Sequence, residues 1–227
     1  MIDQIDILET IKHRECHIIY HKNHDYIVHD IESGALLVDM KDIELFKTLC
    51  NKYHLQHYSL YHLRQKEIVD YLNQTYHKKI IMTCFLAMYT GQSIDISYPQ
   101  GVDIRLLDDS YIQQVFDHYQ IDIGYQYIEE RISKQCMWGI FENDVLAGFI
   151  GIHNEGSMGM LEVIEDYRRK GYGYLLEAFL INMYIKNGKV PYLEVEENNN
   201  ISLALQRKLG FVISKNKSYW MEGSYVL

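Results

Sequence analysis

The residues best suited to chemistry lie in one basic, glycine-containing turn in the second half of the chain. The segment Leu161–Gly173 has the sequence LEVIEDYRRKGYG, and its first residues alternate in the manner of a β-strand. Two arginines and a lysine at 168–170 precede Gly171 and Gly173, and an amphipathic helix follows. A helix start presents unpaired N–H groups and partial positive charge, and glycines let an anion approach closely. The turn is therefore a candidate pyrophosphate site.

The spacing of these residues distinguishes between kinds of phosphate site. The dinucleotide pattern GxGxxG is incomplete here, and the phosphate-loop pattern GxxxxGK[ST] is missing. The pattern present is Arg168-x-x-Gly171-x-Gly173, preceded by Val163 and Tyr167. It resembles the acyl-CoA signature of the GNAT superfamily of N-acyltransferases, (Q/R)-x-x-G-x-(G/A).

A second motif carries the same resemblance. Leu193-Glu194-Val195 is followed by Asn199-x-x-Ser202 and by Lys208-Leu209-Gly210-Phe211. This order is similar to the strand–helix segment of the family, and the spacing selects Asn199 from three successive asparagines. The element order predicted from residue 102 onward, β-α-α-β-β-β-α-β-α-β-β, is that of the GNAT fold. We therefore expect an α/β (α+β) protein with a mixed central sheet flanked by helices.

Two domains are predicted, an N-terminal α/β subdomain at 1–98 and a GNAT domain at 102–227, with Gly91–Gly101 as the linker. The N-terminal pattern predicts strands, helix, strand, helix, strand, which is the order found again in the second half. Either this half is a degenerate copy of the GNAT fold, or it is an unrelated α/β subdomain. Local patterns also predict a strand at His57–Tyr61 and a helix capped by Asp109 or Ser110. Two final strands are predicted at Val212–Lys215 and Ser218–Gly223.

The resemblance implies how acetyl-CoA would bind. In this fold two parallel strands splay apart, here Gly159–Ile164 and Tyr192–Glu196, and the pantetheine arm bonds to the backbone of the first. Asn199 has the alternative role of a helix cap. The cofactor-binding residues expected from the resemblance are Leu161, Val163, Arg168, Arg169, Lys170, Gly171, Tyr172, Gly173, Asn199 and Ser202.

Acyl transfer to an amine needs a base, because the amine arrives protonated and only the neutral form attacks a thioester. Glu194 is the first choice, since it matches the position that looks like the base in GNAT enzymes that acetylate protein N-termini. Glu162 is the second choice, and Glu196 and His153 are weaker candidates. Either glutamate could instead be a solvated or salt-bridged strand residue.

The sequence departs from the family at the residue that usually protonates the leaving thiolate. The family has a tyrosine in the helix before K-L-G-F, whereas this chain has Gln206, which cannot act as an acid. Tyr172, Tyr219, Tyr225 or water could take its place.

Composition excludes several classes of protein. A formal charge of −9 argues against nucleic-acid binding, and no apolar run reaches the roughly 18 residues of a membrane span. The four cysteines are scattered without a CxxC, which indicates reduced thiols of a cytoplasmic protein with no metal site.

The sequence thus predicts an acetyl-CoA-dependent N-acetyltransferase acting on a primary amine of a small molecule, amino acid or protein N-terminus. The alternative is a non-catalytic acyl-CoA-binding sensor or regulatory module, which Gln206 favours. A third hypothesis is an amino-acid N-acyltransferase with a tandem fold. Sequence alone identifies neither the acceptor nor the oligomeric state.

Overall fold

The computed structural model describes residues 1–119, 121 and 124–223, and this part of the chain forms two compact units. The first unit comprises residues 1–88, 194–207 and the described part of 211–227, and the second comprises 89–193 and 208–210. The chain therefore returns to the first unit after completing most of the second. The division into domains at 1–98 and 102–227 stays a prediction.

The first unit is a mixed sheet covered by helices. Its strand order is β1-β2-β3-β4-β11-β5, in which β3 and β4 are parallel and the other described pairs are antiparallel. Its elements are α1 (Ile5–His13), β1 (Cys16–Lys22), β2 (Asp25–Asp30), β3 (Ala35–Asp39), α2 (Ile43–Tyr53), β4 (Leu60–Leu63), α3 (Lys66–Tyr76), β5 (Lys79–Met88) and β11 (Val212–Glu222).

Strand β3 shows how this sheet is buried on both faces. Successive side chains of a strand point to opposite faces, and all five residues of β3 are buried. Ala35 and Leu37 join the cluster that contains Ile7 of α1, whereas Leu36 and Val38 join the cluster under α2 and α3. The sheet of the first unit is therefore covered by helices on both sides.

The end of the chain corrects the sequence prediction, because the two strands expected at Val212–Lys215 and Ser218–Gly223 form one strand, β11. It lies between β4 and β5 and pairs antiparallel with both. The polar interruption is accommodated as a register shift between Ile213 and Lys217, where the hydroxyl of Ser214 accepts from the Leu86 N–H. Pairing with β5 on both sides of this shift keeps the strand continuous across a break in its apolar pattern.

Two smaller predictions are also wrong in their boundaries. The strand expected at His57–Tyr61 begins later, at Leu60, because Leu55–His57 form a 3₁₀ turn. The helix expected to be capped by Asp109 or Ser110 is preceded by a 3₁₀ turn whose cap is Asp108. In both places a short 3₁₀ turn occupies residues whose sequence pattern also fits the strand or helix that follows.

The second unit has the strand order β10-β9-β8-β7-β6, with β9 and β10 parallel and the others antiparallel. Strand β10 and helix α7 contribute residues to both units. The elements are β6 (Val102–Leu106), α4 (Ile112–His118), α5 (Tyr125–Ser133), β7 (Met137–Glu142), β8 (Val145–Ile152), β9 (Met158–Val163), α6 (Tyr172–Lys186), β10 (Tyr192–Glu196) and α7 (Asn200–Leu209).

The same order of elements occurs twice along the chain. Strands β1, β2 and β3 precede α2, β4, α3 and β5, just as β7, β8 and β9 precede α6, β10, α7 and β11. In each series the strand before the first helix runs parallel to the strand after it. This recurrence favours the hypothesis of a degenerate GNAT-like copy in the N-terminal half over an unrelated subdomain.

Candidate active site

The turn between β9 and α6 leaves the start of a helix open. Gly171 precedes α6 with φ +87°, and within the described residues no side chain caps this end. The first intrahelical bond runs from the Leu175 N–H to the Gly171 carbonyl, so the N–H groups of the residues between them have no acceptor within the helix. A Cβ built on Gly171 meets nothing within 4 Å. The helix start therefore has both the donors and the space that an anion requires.

Two basic side chains of this turn, those of Arg168 and Lys170, have acidic partners. Arg168 donates from Nε to the Val163 carbonyl at 3.0 Å and from Nη2 to Glu162 at 3.2 Å. Lys170 donates to Glu142 at 2.7 Å, and this bond raises the pKa of Lys170 and lowers that of Glu142. The turn thus carries exposed but partly neutralised positive charge.

The predicted cofactor residue Tyr172 can offer only its backbone to a ligand at the helix start. Its side chain is buried, and burial, with Glu142 nearby, raises the pKa of its hydroxyl. Its N–H belongs to the open first turn of α6. We therefore assign the phenol of Tyr172 to packing.

Strand β9 is irregular where acyl-CoA binding is predicted. It pairs with β8 at Val163 and at Gly159, but the register shifts between these points. Met160 has φ +53°, a left-handed conformation that is uncommon for a residue with a side chain and typical of a β-bulge. The described β10–β9 register consists of Leu193 opposite Met158. The later residues of β9, which include Leu161 and Val163, thus lie beyond this pair.

Glycine at position 148 of β8 permits close packing of its backbone against β9. A Cβ on Gly148 would lie 2.7 Å from the carbonyl oxygen of Glu162. Any side chain at this position would push β9 away from β8.

Glu162, the second candidate base, lies on β9 in the second unit. Its carboxylate accepts from Arg168, and 16% of its side chain is exposed. Burial and the charge of Glu162 raise the pKa of Tyr119 to about 12. Glu162 is thus a half-buried ion-pair partner of the basic turn, which is the structural role considered as its alternative.

Glu194, the first candidate base, lies on β10 within a buried polar network of the first unit. Its side chain is 7% exposed, and its Oε2 accepts a 2.5 Å hydrogen bond from the indole Nε1 of Trp220. His62 Nδ1 lies 3.5 Å from Oε1 of Glu194 and 3.0 Å from Oδ2 of Asp6. Asp6 in turn accepts a 2.5 Å hydrogen bond from Arg64.

The charges in this network are set by burial and by neighbouring groups. Burial and Arg64 lower the pKa of His62 to about 4, although Asp6 opposes the shift, so His62 is neutral at pH 7. Burial alone would raise the pKa of Asp6, but Arg64 and His62 hold it below its usual range. Burial and the charge of Glu194 raise the pKa of the Cys84 thiol. Asp6 is therefore ionised beside a neutral imidazole.

One atom each of Asp6, His62 and Glu194 lie within 4.8 Å of one another, a spacing that a cation could bridge. Arg64 already supplies positive charge to Asp6, and Trp220 already donates to Glu194. We interpret the group as a hydrogen-bonded network.

Asn199 caps helix α7, the alternative role considered from the sequence. Its side-chain oxygen accepts from the Ser202 N–H at 3.0 Å, which places both predicted residues in one capping turn. This bond leaves the Ser202 hydroxyl to other partners. The geometry accounts for Asn199 and leaves its contact with a cofactor as a prediction.

The remaining candidates occupy different environments. Gln206 is buried with 1% exposure, Glu196 is exposed and Tyr219 is half-buried. His153 Nδ1 lies 2.9 Å from the hydroxyl of Tyr127. Tyr225 falls outside the described residues.

Sequence reasoning missed Asp6 and His62 as neighbours of Glu194, and it missed the bulge at Met160. The two side chains come from α1 and β4, far from Glu194 in sequence. A local sequence motif gives no sign of this contact, because only the pairing of β4 with β11 brings His62 opposite Trp220.

The fold is that of GNAT proteins, and the family comparison agrees. Residues 104–211 match the acetyltransferase (GNAT) family. This match confirms the resemblance to the GNAT family that the two sequence motifs predicted. The family in general binds acetyl-CoA and transfers its acetyl group.

A curated relative is named as an N-acetyltransferase. The chain is 25% identical over 123 residues to the uncharacterized N-acetyltransferase YdfB of Bacillus subtilis. The alignment covers 51% of this chain and 46% of the relative, so the chain matches about half of that protein's length.

Solved structures show the likeness of fold over most of the chain. A Drosophila protein covers 88% of this chain and 74% of its own length, with a TM-score of 0.69 and 16% identity. The match to a GCN5-related N-acetyltransferase from Kribbella flavida covers 98% of this chain and 94% of that protein, with a TM-score of 0.57 and 12% identity. A tandem GNAT protein from the clavulanic acid biosynthesis pathway covers 96% and 87%, with a TM-score of 0.53 and 12% identity. Among the described residues of this chain, no helix is long and apolar enough to cross a membrane.

Proposed function

We propose that this protein transfers an acetyl group from acetyl-CoA to a primary amine of a small molecule, an amino acid or a peptide N-terminus. The observation that carries the proposal is the open start of α6, which lacks a side-chain cap among the described residues and directly follows the basic turn. Acetyl-CoA supplies the activated thioester. The family assignment of residues 104–211 supports the type of reaction.

The residues of the second unit fit an acyl-CoA. The pyrophosphate would bind the N–H groups of Tyr172 and Gly173, with Arg168, Arg169 and Lys170 adding charge. To reach it, Arg168 and Lys170 would exchange their bonds to Glu162 and Glu142 for bonds to phosphate. The backbone of β9 at Leu161 and Val163 would bind the pantetheine arm beyond the pair of Met158 with Leu193.

Glu194 is the proposed base that takes a proton from the ammonium group of the acceptor. Its carboxylate is shielded from water but hydrogen-bonded, and a carboxylate in such a place keeps a fixed orientation for proton transfer. Glu162 is a less suitable base, because its side chain is more exposed than that of Glu194, at 16% against 7%, and its orientation depends on Arg168, which would turn to the pyrophosphate.

Protonation of the departing thiolate needs no strong acid. Gln206 is buried at the position where the family usually has a tyrosine, and an amide cannot donate a proton as an acid. A thiol has a reference pKa of about 8.5, so its thiolate is a tolerable leaving group near neutral pH. Water is the proposed proton source.

A second function, a non-catalytic acyl-CoA sensor, is favoured by that same Gln206. The two functions share a binding site and differ in turnover. They are separated by isothermal titration with acetyl-CoA and CoA, followed by thiol release on a panel of primary amines. Binding with release supports the transferase, binding without release supports the sensor, and no binding contradicts both.

The role of Glu194 is tested by Glu194→Gln with Glu196→Gln as its matched control. Glu196 is exposed two residues further along β10. Glu194→Gln should lower kcat by about 10²- to 10⁴-fold, the usual contribution of a general base, without changing acetyl-CoA affinity. Glu196→Gln should leave both unchanged. If Glu194→Gln retains full turnover, Glu194 is not the base.

A further inference from the structure

The surroundings of Glu194 in the first unit contain groups that no acetyl-CoA motif accounts for. We propose that Trp220, and His62 through it, are positioning residues that orient the Glu194 carboxylate for proton transfer. The proposal rests on the function proposed above. It assigns a catalytic contribution to the N-terminal half, which supplies His62 and the Asp6 that binds it.

The direct contact is the indole of Trp220. Its Nε1–H donates to Oε2 of Glu194 at 2.5 Å, and the tryptophan is only 5% exposed. A bond from a donor without rotational freedom fixes the plane of the carboxylate. It also fixes which oxygen, Oε1, is presented away from the indole.

The indole is itself held by His62. The two rings are stacked at a centroid separation of 4.3 Å and an interplanar angle of 4°. His62 is fully buried, so its ring cannot tilt without disturbing the packing around it. Rotation of Trp220 away from Glu194 would break this stack.

The orientation of His62 is set by Asp6 and Arg64. His62 Nδ1 lies 3.0 Å from Asp6 Oδ2, and Arg64 binds the other oxygen of Asp6 at 2.5 Å. Because the imidazole is neutral at pH 7, we assign its proton to Nδ1, where it is donated to Asp6. The chain of contacts from Arg64 to Glu194 is thus continuous and lies within the first unit.

The same contacts set the proton affinity of Glu194. In the reaction the ammonium group loses one proton and the carboxylate becomes a carboxylic acid, with no other bond changed in that step. A hydrogen bond to the ionised form opposes protonation, so loss of the indole N–H should make Glu194 take up its proton at higher pH. The groups that face it are Asp6 from α1, His62 and Arg64 from β4 and the residues after it, and Cys84 from β5.

The decisive variant is Trp220→Phe, which keeps an aromatic ring for His62 and removes the N–H. We expect kcat to fall roughly 10- to 100-fold with KM unchanged, the effect of one hydrogen bond to a charged group. On the acid side of the pH profile, the pH at which kcat/KM falls to half its plateau value should rise by about one unit. His62→Phe, which keeps a ring but loses the bond to Asp6, should give a smaller shift in the same direction.

A measurement independent of turnover is the ¹H–¹⁵N signal of the indole N–H. The chain has two tryptophans, so Trp138 provides an internal reference in the same spectrum. The Trp220 signal should shift with pH in the native protein and lose that titration in Glu194→Gln. This spectrum tests the hydrogen bond between Trp220 and Glu194 even if Trp220→Phe does not fold.

The outcomes distinguish the two proposals. If the native protein acetylates amines but Trp220→Phe keeps its kcat and the acid side of its pH profile, the positioning role is wrong and the function stands. An indole signal that titrates identically in Glu194→Gln also contradicts the positioning role. If the native protein binds CoA but acetylates no amine, the proposed function fails and the positioning role fails with it.

Discussion

The turns after the third strands of the two repeated series, β3–α2 and β9–α6, have opposite chemistry. At the start of α2 the carboxylate of Asp42 accepts from the N–H groups of Glu44 and Leu45, both at 3.0 Å. At the start of α6, Gly171 provides no side chain, and within the described residues none caps the helix. A cap stabilises its own helix but occupies the donors that an anion would use. The comparison explains why only the second turn is a candidate acyl-CoA site.

The two regions also place their charges differently. The side chains of Asp6 and Arg64 in the first unit are 2% and 4% exposed, whereas Arg168 and Lys170 in the second are 49% and 43% exposed. Buried charges depend on fixed partners, while exposed ones exchange partners at little cost. We therefore expect the first set to govern stability and positioning, and the second to govern ligand binding.

The strongest test of the contrast is to give the second turn the acidic character of the first. Gly171→Asp places a carboxylate where the pyrophosphate would bind. Two lost hydrogen bonds to a charged ligand are worth about 3–6 kcal/mol, so acetyl-CoA affinity should fall by at least about 100-fold. Isothermal titration measures this loss.

Gly171→Asn is the matched control for that substitution. Asn and Asp both tolerate positive φ better than other residues with a side chain, and the two differ mainly in charge. Affinity in Gly171→Asn should fall by no more than about 10-fold. Equal losses in the two variants would show that backbone strain, and not anion repulsion, is responsible.

The buried, neutral His62 of the first unit should make stability fall in acid. In the unfolded chain His62 has its ordinary pKa of 6.5, whereas in the folded protein burial and Arg64 lower its pKa to about 4. Between these values the unfolded state binds more protons, so stability is full above pH 6.5 and declines below it. From pH 7.5 to 5 the loss from His62 should be about 2 kcal/mol.

Urea unfolding at the two pH values measures this slope in the native protein and in His62→Phe. The variant should show a slope smaller by about the amount expected from His62. His24→Asn, at an exposed histidine, is the control and should retain the native slope. An unchanged slope in His62→Phe would mean that His62 is not the group responsible.

Removal of the Asp42 cap at the start of α2 should have a smaller effect on stability. Asp42→Ala should lower the free energy of unfolding by about 1 kcal/mol, because two N–H groups lose their acceptor. Asp42→Asn retains a good cap and should be close to neutral. Acetyl-CoA affinity, measured by titration, should be unchanged in both, and a gain of affinity in Asp42→Ala would contradict the contrast between the turns.

The smallest effect concerns the exposed charge of the second turn. Lys170→Gln should weaken acetyl-CoA binding about 3-fold at low ionic strength, because an exposed ion pair contributes little in water. The difference should disappear near 1 M salt. Lys186→Gln, exposed at the other end of α6, should have no effect at either salt concentration.

Several elements could be predicted from local pattern alone. Strand β10, for example, has the predicted boundaries, Tyr192–Glu196. The glycine turn could also be located, because its function depends on residues adjacent in the chain. The bulge at Met160 could not, since it arises from the register of β9 against β8.

By itself, the sequence determined the positions of most helices and strands, the open turn before α6 and the match of residues 104–211 to the GNAT family. These features depend on side-chain periodicity and on the spacing of a few residues. Only the tertiary structure placed β11 between β4 and β5 and thereby brought Trp220 and His62 to Glu194. The physical reason is that strand pairing and buried hydrogen bonds join residues far apart in the chain, which leave no periodic signal where each of them lies.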